Sequence, residues 1–375
     1  MADIHGVCPD KFSRVREGFS NLFESSQERG ARFTAVIAGE TVLDLWAGSA
    51  DRDGAQAFNA NTLTPVFSTG KAVMALLIAR LVDKGKLDYD TAVAHYWPEF
   101  GQAGKSRITV GQLMSHQHGL PGFNPAQPDP AIWFDPVATI DVLCKQTPMW
   151  TPGTASGYTP IAGGYLIGEL FRRIDGRTLG TALREDLANR FGLDLFIGTP
   201  DSEVPRIAHM QKPPAAPDLG VIDKIKQAAF FDRGSAPAGR GSDVWRRAEI
   251  PSANMHATAL GLAKLMNAVA NGGVIDGKPV LSPKGIDVAT RERIHGQDKV
   301  LPFKLSWAAG FLRNKGIGIY GPNPNAVGHS GWGGSCVMAD PDRKLSAAYV
   351  MNKQSVHLIG DQRPGRLIAE LYGCL

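Results

Sequence analysis

The sequence contains few cysteines, little net charge and no long apolar run. Its four cysteines are widely separated and form no C-x-x-C pair, which argues against a disulfide framework and a zinc site. The net charge is only +4, from 40 Lys+Arg against 36 Asp+Glu, which argues against the basic surface that a nucleic-acid partner requires. Apolar runs such as residues 72–79 are far shorter than the ~20 residues that span a bilayer, so we predict no membrane segment.

The remaining composition is that of an ordinary globular protein. The chain has 375 residues, of which 43% are hydrophobic and 20% charged, and this length suggests two structural units. Its 43 Gly and 25 Pro stay below the range of collagen-like or disordered chains. The N-terminal residues lack the basic and apolar stretches of a signal peptide, which predicts a cytoplasmic protein. The sequence indicates no particular oligomeric state.

Hydrophobic periodicity divides the chain into strands, then helices, then strands. Residues 33–37 and 42–46 flank a turn and predict a β-hairpin. Residues 73–82 are good helix formers and end at Lys84-Gly85-Lys86, a helix stop. Further segments follow in this order: interrupted helical patterns to about residue 195, an irregular proline-rich stretch at 198–251, a helix at about 256–270, and strand-like runs at 308–312, 336–339 and 345–351. This order predicts an α+β fold whose sheet is built from both ends of the chain, with a helical block inserted between them.

The first candidate for chemistry is Ser68-Thr69-Gly70-Lys71, an S-x-x-K motif at the head of the apolar helix. Residues three apart lie on one helical face, so the Lys71 amine can reach the Ser68 hydroxyl and accept its proton. The helix N-terminus also presents backbone N–H groups that can stabilise an oxyanion. The alternative is that Ser68 caps the helix and Lys71 is a solvated surface residue. The apolar residues that follow the motif imply burial and favour the catalytic interpretation.

Two further segments can contribute to the same chemistry. Tyr158 lies in a loop rich in Gly, Pro and Thr, from which it can relay a proton, although a packed aromatic side chain is the alternative. The segment Gly328-His-Ser-Gly-Trp-Gly-Gly-Ser335 precedes a strand-like run, and its glycines allow a strand edge to approach a cleft. A tight turn with a packed Trp332 is the alternative there. His116 and His118 have metal-ligand spacing but lack a carboxylate partner, so we expect them to stabilise their loop.

Together these segments resemble the serine β-lactamase and penicillin-binding-protein superfamily, in the branch of class C β-lactamases and family VIII carboxylesterases. The likeness spans roughly residues 30 to 355. It includes the segment Ile108–Pro121, which looks like the family's I-T-V-x-x-L-L-x-H-x-x-G-L-P, and Pro152-Gly153 before Tyr158. The W-G-G run that begins at Trp332 is the variant that family VIII esterases show.

The resemblance implies a β-lactamase/transpeptidase-like fold, an α/β sandwich domain with a central antiparallel sheet plus an inserted all-helical domain. We assign residues 1–67 and 252–375 to the α/β domain. Residues 68–251 form the mostly helical domain, with loop 198–251 near the active-site cleft. An active site is expected at the seam between the two.

The same resemblance implies the roles of individual residues. Ser68 is the acylated nucleophile, Lys71 its base partner and Tyr158 the proton shuttle to the leaving group. The backbone N–H groups of Ser68 and Trp332 form the oxyanion hole. The substrate-binding strand, which corresponds to the family's Lys-Thr-Gly, comprises His329, Ser330, Gly331, Trp332 and Gly333.

Two departures from the lactamases favour an ester substrate. The family's Y-x-N reads Tyr158-Thr159-Pro160, and the Lys of Lys-Thr-Gly is replaced by His329, which is mostly neutral at pH 7. We therefore predict a carboxylesterase for small-molecule esters with short acyl chains, with acyltransfer as a variant reaction. No metal or organic cofactor is needed. The alternatives are a β-lactamase or D,D-peptidase, and a non-catalytic scaffold of the same fold.

Overall fold

The computed structural model describes residues 3–126 and 129–375. Its strands are β1 His5–Val7, β2 Gly30–Ile37, β3 Glu40–Gly48, β4 Thr64–Pro65, β5 Leu195–Phe196, β6 His256–Ala257, β7 Val274–Ile275, β8 Lys278–Pro279, β9 Ile294–Gln297, β10 Lys304–Trp307, β11 Leu312–Arg313, β12 Val327–Ser330, β13 Cys336–Asp340 and β14 Leu345–Met351.

The α-helices of the described residues are α1 Ser13–Glu24, α2 Gly70–Asp83, α3 Val93–Tyr96, α4 Val110–Met114, α5 Pro136–Lys145, α6 Ala162–Asp175, α7 Leu179–Leu183, α8 Asn189–Phe191, α9 Lys224–Lys226, α10 Asp243–Arg247, α11 Ala259–Ala270, α12 Pro283–Thr290 and α13 Gln362–Gly373. Short 3₁₀ turns supplement them, including Phe67–Thr69 immediately before α2. No helix within the described ranges combines the length and apolar character that a bilayer crossing requires.

A nine-stranded antiparallel sheet forms the centre of the described structure. Its strand order is β1-β3-β2-β14-β13-β12-β11-β10-β9, so the first 50 or so residues pair with strands from the last third of the chain. The predicted hairpin is confirmed as β2 and β3, and the runs at 336–339 and 345–351 are confirmed as β13 and β14. The predicted α+β fold, with a sheet built from both ends of the chain, is therefore correct.

Helices cover both faces of this sheet, which explains why its central strands are largely apolar. Along β14, Ala347 and Tyr349 face one hydrophobic cluster, shared with α1 and α13. The intervening Ala348 and Val350 face the other cluster, which contains α11 and α2. Since side chains alternate along a strand, burial on both faces requires a continuous apolar run rather than an alternating one.

Helix α2 is the element that brings the sheet and the helical segments together. Every residue from Gly70 to Leu81 is buried, which is possible because the helix is apolar on almost all sides. Its two charged residues over this stretch are Lys71 and Arg80, and Arg80 pairs with Asp186. Lys71 has no carboxylate partner among the described residues, which marks it as a buried amine whose charge is not compensated.

Two local expectations need correction. The strand-like run 308–312 is mostly a buried tight turn between β10 and β11, in which Gly310 takes a φ of +82°. The helix expected from about 256 begins at Ala259, since the Thr258 hydroxyl accepts from Gly261 N–H and His256–Ala257 is a strand. The stretch 198–251 is irregular as expected, yet contains short helices such as α10. The boundaries drawn at 67/68 and 251/252 stay predictions.

Candidate active site

Ser68 lies in the 3₁₀ turn that leads into α2, at the edge of the buried region. The preceding Phe67 has a φ of +48°, a left-handed conformation that costs a non-glycine residue about 1–2 kcal/mol. Phe67 is held there by burial and by an edge-on contact with the Trp332 ring, whose centroid is 6.0 Å away. This turn leaves the Ser68 side chain half-buried while the residues around it are buried.

The three predicted catalytic side chains meet at one point. Lys71 Nζ lies 3.0 Å from Ser68 Oγ and 3.0 Å from Tyr158 OH, and the Tyr158 hydroxyl donates to Ser68 Oγ at 2.6 Å. The predicted proximity of Ser68, Lys71 and Tyr158 is thus present as a closed triangle. Such distances allow a proton to pass between any two of the groups.

Two carbonyl groups complete the surroundings of the Lys71 amine. Nζ lies 2.8 Å from Pro160 O and 3.2 Å from Ser252 O, and these oxygens can only accept hydrogen bonds. Burial without a carboxylate lowers the pKa of Lys71 well below its usual value. A neutral amine fits this site, since its two N–H groups satisfy the two carbonyls and its lone pair can accept the Ser68 hydroxyl proton, while the Tyr158 hydroxyl donates to Ser68 Oγ.

The Tyr158 phenol is fixed by packing and by its backbone. Trp307 stacks on the ring at a centroid distance of 6.0 Å, and His116 lies 5.1 Å from it. Asp298 accepts from Tyr158 N–H at 2.9 Å and from Ser156 Oγ at 2.8 Å, so one carboxylate holds the loop. Burial raises the pKa of Tyr158, which keeps the phenol protonated at neutral pH.

The two histidines of the 116–118 segment support the same loop, as expected. His116 Nδ1 accepts from Thr159 N–H at 3.3 Å, and His118 Nε2 lies 3.2 Å from Thr159 Oγ1. Burial lowers the pKa of His118 to about 3, so it is neutral in the folded protein. These contacts attach the segment to the residue that follows Tyr158.

The turn that follows β12 lies against the Ser68 turn. Ser335 Oγ donates to Val66 O at 2.8 Å and lies 3.0 Å from Thr69 Oγ1. A Cβ atom on Gly331 would lie 2.2 Å from Val66 O, so only glycine permits this approach. The predicted oxyanion donor Trp332 follows directly, and its backbone N–H has no acceptor among the hydrogen bonds of the described residues.

Four of the predicted substrate-binding residues, at the end of β12 and in the turn after it, are buried, and two of them form side-chain hydrogen bonds. His329 Nδ1 donates to Ser330 O at 2.8 Å, which leaves the unprotonated Nε2 without a partner in the described part of the chain. Burial lowers the pKa of His329 to about 3, so the ring carries no charge at neutral pH. Ser330 Oγ lies 3.2 Å from Tyr320 OH. Gly331 and Gly333 are buried as well.

Comparison with known proteins shows the family of this chain. The family model described as Beta-lactamase matches residues 16–369. The chain belongs to the Beta-lactamase family. It is therefore a hydrolase of the serine β-lactamase fold, and the predicted superfamily is confirmed.

The similar proteins carry names of different activities. The chain is 32% identical over 363 residues to the esterase/beta-lactamase LipL of Mycobacterium tuberculosis, covering 93% of this chain and 83% of that protein. Among solved structures, a novel penicillin-binding protein homologue from Caulobacter crescentus is 56% identical, with a TM-score of 0.97 and full coverage of both chains. A family VIII carboxylesterase is 38% identical, with a TM-score of 0.93 and full coverage of both chains.

Several residues that build this Beta-lactamase site were not anticipated from the sequence. Asp298 and the carbonyl of Ser252 lie far along the chain from the residues they contact. Arg363 donates to Gly333 O at 2.5 Å and pairs with Asp361 and Glu28, so a buried charged cluster supports the turn after Trp332. No local motif marks any of these residues, since each acts through a contact that only the fold creates.

Proposed function

We propose that the protein is a serine carboxylesterase that forms an acyl-enzyme on Ser68, with Lys71 as the base and Tyr158 as the proton relay. The observation that carries this proposal is the Ser68–Lys71–Tyr158 triangle, in which the buried Lys71 amine has no carboxylate partner among the described residues. Tyr158 is unsuited as the resting base, because burial raises its pKa and keeps it protonated. The neutral Lys71 amine is the group that can take the Ser68 proton.

The reaction proceeds in two stages. In the first, Ser68 Oγ attacks the ester carbonyl while its proton passes to Lys71 Nζ, and the N–H groups of Ser68 and Trp332 stabilise the oxyanion. When the C–O bond to the alcohol breaks, Tyr158 gives its proton to the leaving oxygen and recovers one from Lys71. In the second, water attacks the acyl-enzyme and its proton passes to Lys71. The bond between the acyl carbon and Ser68 Oγ then breaks, Ser68 Oγ takes back a proton from the relay, and the acid leaves. An alcohol in place of this water gives acyltransfer.

An ester substrate is favoured over a β-lactam by the chemistry of β12. The position of the family's Lys-Thr-Gly lysine holds His329, whose buried ring is neutral at pH 7 and carries an unpaired lone pair. A neutral acceptor does not attract the carboxylate of a β-lactam or a peptide. The esterase names of LipL and of the family VIII carboxylesterase support the same assignment. We propose small-molecule esters with short acyl chains as substrates.

A second candidate function is that of a β-lactamase or D,D-peptidase. It is favoured by the 56% identity to the penicillin-binding-protein homologue from Caulobacter crescentus. The two candidates share the acyl-enzyme and differ in the group that is cleaved.

The test compares kcat/KM for 4-nitrophenyl butyrate with that for a chromogenic cephalosporin, in the wild type and in Ser68→Ala. We expect the ester to be the better substrate and both activities to be lost in Ser68→Ala. A cephalosporin rate that exceeds the ester rate would reverse the ranking of the two functions. Complete absence of labelling by a fluorophosphonate would instead favour a non-catalytic scaffold.

A further inference from the structure

Arg240 provides a cation at the site that the esterase mechanism does not use. Its guanidinium carbon lies 4.3 Å from the centroid of the Trp332 ring and 5.6 Å from that of Phe67. Trp332 supplies the backbone N–H proposed for the oxyanion hole, and Phe67 precedes the nucleophile Ser68. Arg240 therefore borders the reacting centre from the 232–242 loop, on a different element from β12.

The Arg240 guanidinium is held in place without being neutralised. Its Nη1 donates to Gln354 Oε1 at 3.4 Å, and the buried Gln354 donates from Nε2 to Trp332 O at 3.1 Å. No carboxylate lies within ion-pair distance of Arg240 among the described residues, whereas Arg246 and Arg247 of the following helix α10 both have one. Contact with the two rings also removes water, which lowers the pKa of Arg240. A cation in this state attracts an anion.

A second polar group beside Arg240 also lacks a partner. The Trp332 indole Nε1 is a buried donor with no acceptor in the described part of the chain. Guanidinium and indole N–H groups both donate and neither accepts, so the acceptor that would satisfy both is an oxygen anion such as a carboxylate. Arg240 is an exposed residue, which leaves it accessible to a ligand.

We propose that Arg240 forms a carboxylate subsite, and that the esters this protein hydrolyses carry a carboxylate at a distance from the reacting carbonyl. This inference rests on the proposed esterase function and names its substrate class. The anion is bound on the loop side of Trp332 and not on β12, where His329 is neutral. A flexible ester can direct its carboxylate to this side, whereas a bicyclic β-lactam holds its carboxylate at a fixed position relative to the carbonyl.

The test uses two matched pairs of substrates, each an acid and its methyl ester. 4-Acetoxybenzoate and methyl 4-acetoxybenzoate place the charge on the alcohol side, and mono-4-nitrophenyl adipate and its methyl ester place it on the acyl side. The measured quantity is the ratio of kcat/KM for the acid to kcat/KM for the methyl ester. Comparing the two pairs identifies the side of the substrate that Arg240 contacts.

We expect Arg240→Gln to lower this ratio by about tenfold in at least one pair, as for the loss of one charge-assisted contact. Arg240→Lys should keep most of the preference, and Arg240→Glu should lower the ratio further. High salt should lower the ratio in the wild type and have little effect in Arg240→Gln, which a purely structural role would not produce. Arg233→Gln is the matched control, because Arg233 is an exposed arginine of the same loop segment. It should leave the ratio unchanged.

The inference is overturned if Arg240→Gln leaves both ratios unchanged, or if Arg233→Gln lowers them equally. It is also overturned if the wild type hydrolyses the methyl esters normally and neither acid. If the wild type hydrolyses 4-nitrophenyl butyrate but none of these four substrates, the substrate class is overturned and the esterase function stands. Failure on 4-nitrophenyl butyrate as well would overturn the proposed esterase function itself.

Discussion

The protonation state of Lys71 can be tested without any substrate, through the pH dependence of folding. Burial lowers the pKa of the amine well below its ordinary value in the folded protein, whereas the unfolded chain restores that ordinary value. Between the two values the unfolded chain binds one more proton than the folded protein. The free energy of unfolding therefore rises with pH across this window, by up to about 1.4 kcal/mol per pH unit for this one group.

The perturbation is Lys71→Met, which removes the titrating amine and keeps a long apolar side chain. Urea unfolding of wild type and variant is measured at several values between about pH 7 and 9, where the unfolded amine is protonated. We expect the stability of the wild type relative to the variant to increase as the pH rises. The slope disappears below the folded-state pKa, since both states then hold the proton.

Lys145→Met serves as the control for this experiment. The Lys145 side chain is 65% exposed and pairs with Asp141, so its removal should change stability by a nearly constant amount over the same range. A difference between wild type and Lys71→Met that is equally independent of pH would refute the neutral amine. In that case Lys71 would be an ammonium ion in the folded protein and could not accept the Ser68 proton.

Three further substitutions test the parts that hold the site. Tyr158→Phe removes the relay that donates to Ser68 Oγ, and we expect kcat to fall by about 10²–10⁴ in ester hydrolysis; a near-normal rate would exclude Tyr158 from proton transfer. Asp298→Asn turns an acceptor of Tyr158 N–H and Ser156 Oγ into a partial donor, and should lower stability by about 1–3 kcal/mol in urea unfolding; unchanged stability would contradict its anchoring role. Arg363→Met leaves Asp361 buried without its partner and removes the donor to Gly333 O. We expect the free energy of unfolding to fall by about 3–5 kcal/mol, together with a lower kcat. A stable and fully active variant would show that Arg363 does not support the turn after Trp332.

Much of the site could be predicted because the sequence carries local signals for it. Ser68 and Lys71 are three residues apart at the head of an apolar helix, and this spacing alone brings amine and hydroxyl to one face. The apolar run at Leu345–Met351 likewise indicated a strand, and the structure has β14 there. Where a short-range pattern determines the geometry, the expectation and the structure agree.

The remainder depends on contacts between distant parts of the chain. Asp298 reaches the Tyr158 loop across more than a hundred residues, and the path of the 232–242 loop alone decides that Arg240 covers Trp332. The prediction of a strand at 308–312 was wrong. A buried turn is as apolar as a buried strand, and hydrophobic periodicity cannot separate the two over so few residues. Local propensity carries no information about such tertiary contacts.

The central claim, that Ser68 becomes acylated, is tested most directly by intact-mass spectrometry. Wild type, Ser68→Ala and the control Ser202→Ala, which changes an exposed serine, are mixed with 4-nitrophenyl acetate and quenched in acid within the first turnovers. We expect one added acetyl group in the wild type and in Ser202→Ala, mapped to the peptide that contains Ser68, and none in Ser68→Ala. Hydrolysis of the ester with an acetyl group on another residue, or with full activity in Ser68→Ala, would contradict this claim.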